Sequence, residues 1–149
     1  MGRLIAILGL AGALASGLPG CGGGGSTAAG DSFVAKANAV CALADHRVES
    51  LSEPESVAEL VTYLGKTEAV VVGLRQKIEQ LDPSGQAVGD YLDGLTRSGT
   101  VLNEMVDAAQ SQNPDAVGEL SRELVGVRLG RLARRAGLAI CAKPLVPRT

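Results

Sequence analysis

From residue 31 onward, apolar side chains recur every three or four positions in four runs, and each run stops at a proline or glycine signal. That spacing is the period of an α-helix with one buried face. The first run is Phe33, Ala37, Val40, Cys41, Ala44, Val48 and Leu51, with Asp31-Ser32 expected as its N-cap. Pro54 separates it from a second helix, expected to start near Glu55, whose stripe is Val57, Leu60, Val61, Leu64, Val71, Leu74, Ile78 and Leu81. Asp82-Pro83-Ser84-Gly85 is a turn signal. The third stripe is Val88, Leu92, Leu95, Leu102, Val106 and Ala109, with Gly99 in its middle. Asn113 then reads as a cap with Pro114 at the first helical position. The fourth helix carries Val117, Leu120, Leu124 and Val127 and is expected to end near Gly137.

No strand-like alternation of useful length competes with these stripes. Short breaks between long helices make antiparallel neighbours, so the expected fold is all-α, a four-helix up-down-up-down bundle over residues 31–149. In that topology the first and fourth helices lie side by side. Hydrophobic residues are 46% of the 149, enough for one packed core. Aromatics are only Phe33, Tyr63 and Tyr91, so the core is aliphatic and there is no stacking platform for nucleic-acid bases. A net charge of −2 likewise gives no global basic signal for nucleic acid.

The first twenty residues differ from the rest. Arg3 precedes an uninterrupted apolar run, Leu4 to Ala15, too short to span a bilayer and of the length of a signal-peptide core. Two processing sites are open: after Gly17, as in an ordinary secretory signal, or before Cys21. Leu18-Pro19-Gly20-Cys21 resembles the bacterial lipobox, with an aliphatic residue at −3, a small residue at −1 and cysteine at +1; Pro19 departs from the usual −2 residue. The resemblance implies a leader over 1–20, a diacylglyceryl thioether on Cys21 and attachment to the extracytoplasmic face of the cell membrane; the alternative is secretion. Residues 21–30 then form the lipidated cysteine and a glycine-rich tether, whose nine residues after Cys21 reach about 15–18 Å in r.m.s. terms.

With Cys21 carrying lipid, Cys41 and Cys141 remain, and in an oxidising compartment they are expected to pair. That bridge would staple the first helix of the bundle to the end of the fourth. The domain also resembles a family of small secreted or lipid-anchored helical-bundle proteins of actinobacterial type, with no assigned reaction. The residues that carry the likeness are Phe33-Val34-Ala35-Lys36-Ala37-Asn38-Ala39-Val40-Cys41, Leu81-Asp82-Pro83 and Gly137-Leu138-Ala139-Ile140-Cys141. The resemblance implies a disulfide-linked bundle.

The sequence offers little chemistry. His46, the single histidine, is expected on the surface, and position 43, where a di-metal bundle would place glutamate, is leucine. Glu49, Glu53, Glu55 and Glu59 crowd the start of the second helix, where acids suit the helix dipole; Glu55 and Glu59 are expected on one face. No catalytic, cofactor or metal site is assigned. The charge distribution is uneven: residues 122–149 hold seven basic residues and one acid, whereas residues 31–121 hold fifteen acids and six basic residues. Arg128, Arg131 and Arg135 are expected on one helical face, where they would pair with acidic neighbouring helices, face anionic lipid head groups, or meet an acidic partner. Gly99 and Thr67 interrupt their stripes, through close helix approach or beside a small cavity.

The expected function is therefore a non-enzymatic, membrane-anchored binding or scaffolding module with an envelope protein as partner. The runner-up is a small-ligand-binding bundle with an internal apolar pocket, and a carboxylate-dependent hydrolase is third. A filled core favours the first, an apolar cavity the second, and acids clustered inward in a cleft the third.

Overall fold

The structure, a computed structural model, describes residues 28–143; Cys21, the leader and most of the tether lie outside that range. Five helices follow in order: α1 (Ala28–Glu49), α2 (Val57–Glu79), α3 (Gln86–Gln110), α4 (Pro114–Gly126) and α5 (Leu129–Arg135). No strand occurs among the described residues. The molecule is an up-down-up-down helical bundle in which α4 and α5 share the fourth position. Its centre is α3, on which α2, α4 and α5 all pack.

Local chemistry sets the ends of these helices. Helix α1 begins at Ala28, so Ser32 lies inside it rather than at its cap; the helix formers Ala28 and Ala29 carry it past Gly30. Helix α2 begins two residues later than the sequence suggests. The Ser56 hydroxyl accepts the Glu59 N–H at 3.2 Å, and the Glu59 carboxylate accepts the Glu55 N–H at 2.7 Å. This is a capping box reaching one residue further back than usual. Glu55 therefore precedes the helix and does not share a helical face with Glu59, and Val57, placed in the first turn, is 55% exposed. The Asn113 side chain caps α4 by accepting the Ala116 N–H, with Pro114 beginning the helix, as the sequence predicts.

The fourth helix is broken. Its early apolar residues, Val117, Leu120 and Leu124, and its late ones, Leu129, Leu132 and Ala136, would fall on different faces of a continuous helix. Arg128 resolves the conflict by adopting a left-handed conformation, φ 54° and ψ 42°, which re-aims α5 onto α3. There Gly94 leaves the room: a Cβ at that position would come within 2.6 Å of Leu132 Cδ1. Helix α5 then ends in a complete Schellman motif. Gly137 takes φ 74°, its N–H bonds the Arg134 carbonyl, and the Leu138 N–H reaches back to the Ala133 carbonyl at 2.9 Å. Ala133 and Leu138, the apolar pair of that motif, are both fully buried.

The turn after α5 meets the middle of α1. Cys41 and Cys141 form the expected disulfide, with Cα atoms 5.1 Å apart. Beside it the Asn38 side chain accepts the Ile140 N–H at 2.8 Å, across 102 positions of sequence. The contact differs from the expected flank-to-flank packing of the first and fourth helices: α1 packs along α2 and has no broad contact with α4. The break at Arg128 is the reason, since it leaves the turn rather than the helix flank to reach α1. Next to the disulfide, Tyr91 is completely buried, its hydroxyl 3.9 Å from Cys41 Sγ.

Replacing Cys41 and Cys141 together by serine removes a cross-link that closes 100 residues. The expected loss is about 2–5 kcal/mol of unfolding free energy, read by chemical denaturation under non-reducing conditions.

Candidate functional site

Between the α2–α3 pair and the α4–α5 corner lies a mostly apolar groove of about 270 Å³. Its floor comes from Thr67 and Val71 on α2 and from Ser98 and Leu102 on α3. Thr67 and Ser98 are each 3% exposed and are the buried polar residues among those described. They stand where the neighbouring turns of both helices carry Leu, Val or Met. Ser98 is smaller than those residues and leaves volume on the floor, whereas Thr67 has the volume of valine and adds a buried hydroxyl. The Thr67 hydroxyl donates to the Tyr63 carbonyl of its own helix at 2.9 Å.

The opposite wall is Leu124, Val125 and Leu129, contributed by the two sides of the helix break. Val125 is 77% exposed, the most exposed of the large hydrophobic residues among those described. The groove is open to the surface and so differs from the internal pocket that the sequence suggested, because the turn at Arg128 parts α4 from α5 over the floor. Two cations, Arg128 and Lys143, line it and are exposed. Gly130 completes this end: a Cβ there would stand 2.7 Å from the Ala142 carbonyl oxygen, so the C-terminal turn passes directly over it. Gly99 lies elsewhere, at a close approach of α3 to Val72 of α2.

The three arginines do not lie on one continuous helix. Arg128 is the left-handed corner residue ahead of α5, while Arg131 and Arg135 are on α5 itself. Arg135 approaches Asp90 of α3 at 3.7 Å, with both side chains substantially exposed, a pairing of small energetic weight. His46 is exposed, as expected. Around the α1–α2 connection, Glu53, Glu55 and Glu59 border an open depression of about 430 Å³. All three are solvent-exposed, and the Glu59 carboxylate is occupied in capping α2, so these acids serve the helix terminus and face water. Among the described residues no three His, Cys, Asp or Glu side chains gather closely enough to hold a metal ion, and no helix is long and apolar enough to cross a membrane.

The sequence stripe missed Ser98 and Tyr91. Ser98 is three residues after Leu95 and four before Leu102, so periodicity alone places it inward. Tyr91 occupies the same face, and burial pushes its phenol well above the ordinary tyrosine range.

Two outcomes follow from this geometry. Below about pH 10, where an unfolded tyrosine begins to ionise, the neutral phenol of Tyr91 leaves stability unaffected by pH. Above it the unfolded chain loses the proton while the folded chain retains it, so stability falls. The difference in unfolding free energy between the native protein and Tyr91→Phe is therefore expected to be flat to about pH 10 and to shift in favour of the variant at higher pH. Separately, Gly130→Ala drives a methyl into the Ala142 backbone and is expected to cost about 1–3 kcal/mol. Faster amide exchange at Ile140 and Lys143, whose N–H groups bond Asn38 and Ile140, would report the displaced turn. No family model, curated protein or solved structure matches the chain.

Proposed function

We propose that the chain is a non-enzymatic binding module held at the extracytoplasmic face of a bacterial membrane by a lipid on Cys21, and that it binds a small, largely apolar ligand in the groove between the α2–α3 floor and the α4–α5 corner. The observation that carries this reading is the pairing of Thr67 and Ser98 at the bottom of an apolar groove. Burying hydroxyl groups in place of hydrocarbon gives up core stability, and a protein selected for rigidity alone would close the space. The groove's volume is just under the range of about 300–1,000 Å³ typical of small-molecule sites. Of the readings that the sequence raised, small-ligand binding gains this specific support; scaffolding of an envelope protein gains none of comparable weight.

The location rests on two features. The stretch ending Leu18-Pro19-Gly20-Cys21 resembles a lipobox, and a disulfide between Cys41 and Cys141 suits a compartment outside the reducing cytosol. Attachment at Cys21, through a glycine-rich segment, would keep the bundle near the membrane surface. The likeness to actinobacterial-type lipid-anchored bundles belongs to the same proposal.

Metabolic labelling with a palmitate analogue is expected to mark the chain and to place it in the membrane fraction, with Cys21→Ser losing both. Unprocessed, unlabelled protein in the cytosol would end the anchored reading. Native mass spectrometry of the released protein is expected to show a non-covalent small-molecule adduct; a bare protein that crosslinks to an envelope protein would favour scaffolding instead.

A further inference from the structure

We infer that the groove takes a short single-chain amphiphile with an anionic head group, a monocarboxylate of the fatty-acid type, whose tail lies along Val71, Leu102, Leu124 and Leu129 and whose head group meets Arg128 and Lys143. The inference rests on the reading of the groove as a binding site and names the chemistry of its occupant. Charge complementarity carries it. The charged side chains lining the groove are Arg128 and Lys143, both cationic, and no acid lines it. Both are exposed, and neither has an ion-pair partner within 4.0 Å among the described residues, whereas Arg75 and Arg135 have Glu79 and Asp90. The stretch from residue 122 onward contains one acid, Glu123, against seven basic residues.

The backbone brings both cations to one edge. Arg128 holds a left-handed conformation, unfavourable for a residue with a side chain, at the groove's edge. Lys143 is delivered to the same edge by the turn that the Asn38 and Cys41 contacts fix against α1. Volume sets the size of the tail. A cavity of about 150 Å³ accommodates benzene; the 270 Å³ here exceeds that and accommodates one short chain, not the paired chains of a bilayer lipid.

The test uses the full chain carrying Cys21→Ser, purified without detergent, with decanoate and 1-decanol as probes below their aggregation concentrations. Methyl chemical shifts of Val71, Leu102, Leu124 and Leu129 report occupancy of the groove. Decanoate is expected to shift them and to bind on the order of tenfold more tightly than decanol, and Arg128→Gln with Lys143→Gln is expected to remove that preference, bringing the two affinities together. Equal affinities, unaltered by the double substitution, would overturn the anionic-head assignment and leave the groove reading standing. Failure of both probes to move any of the four methyl groups would overturn the assignment and the groove reading together.

Discussion

The joining of the C-terminal turn to α1 is the constraint from which the rest of the arrangement follows. Three contacts act at one place: the Cys41–Cys141 bridge, the Asn38 side chain accepting the Ile140 N–H, and Leu138 buried beneath them. The cross-link restricts the unfolded chain over 100 residues, and the hydrogen bond fixes the angle at which the turn arrives. Asn38 and Cys41 are three residues apart on α1, and Gly137, Leu138 and Cys141 surround the turn, so two short sequence patterns at opposite ends of the domain form a single device. Gly137 is required there because the Schellman motif needs a positive φ where α5 turns toward α1.

A chain end held against α1 dictates where α5 points. Had the fourth helix continued straight from Gly126, its late apolar residues would have faced solvent. The left-handed Arg128 corner is unfavourable in isolation. It is offset by burying Ala133 and Leu138 completely and by setting Leu129 and Leu132 against Gly94. The same corner separates α4 from α5 above Thr67 and Ser98, so the geometry that seats the C-terminal turn against α1 also opens the groove over that floor. Position and chemistry of the candidate site thus trace back to one pairing across the fold.

Much of this was legible in the sequence. The stripes of α1 and α2 predicted most of their inward faces and that of α3 predicted part of its own, because the helical period sets such residues on one side, and Asn113-Pro114 fixed the start of α4 through cap chemistry that acts within four residues. What escaped was non-local. Tyr91, Gly94, Ser98 and Val101 are buried because three helices converge on α3, which widens its inward arc beyond a single stripe. The α4–α5 break carried a faint signal in the shift of the apolar stripe near Gly126 and Gly130, yet the left-handed residue is an arginine, and nothing in its side chain announces that conformation. Extension of α1 to Ala28, past the cap expected at Asp31-Ser32, and withdrawal of α2 to Val57, behind the Ser56–Glu59 cap, are boundary effects. The groove needed the packing: Thr67 was visible as a polar break in a stripe, but only the meeting of α2 with α3 brings it beside Ser98.

The two walls of the groove are not equally held. Helix α3 contributes ten buried residues and α2 five, whereas α4 contributes none that is fully buried; Val117, Leu120 and Leu124 are only half covered. Local opening is cheapest where few apolar contacts must be broken. The α4 wall, bounded by the Asn113 cap at one end and the Arg128 corner at the other, is therefore held by fewer buried contacts than the floor, which belongs to the α2–α3 core. A ligand bridging both walls would bury Leu124 and Val125 and give α4 the apolar contacts it lacks alone. In this fold the exposed Val125 and the half-covered α4 stripe face the buried hydroxyls of Thr67 and Ser98 across the groove, so the apolar surface that the bundle leaves uncovered lies opposite the polar positions of its floor.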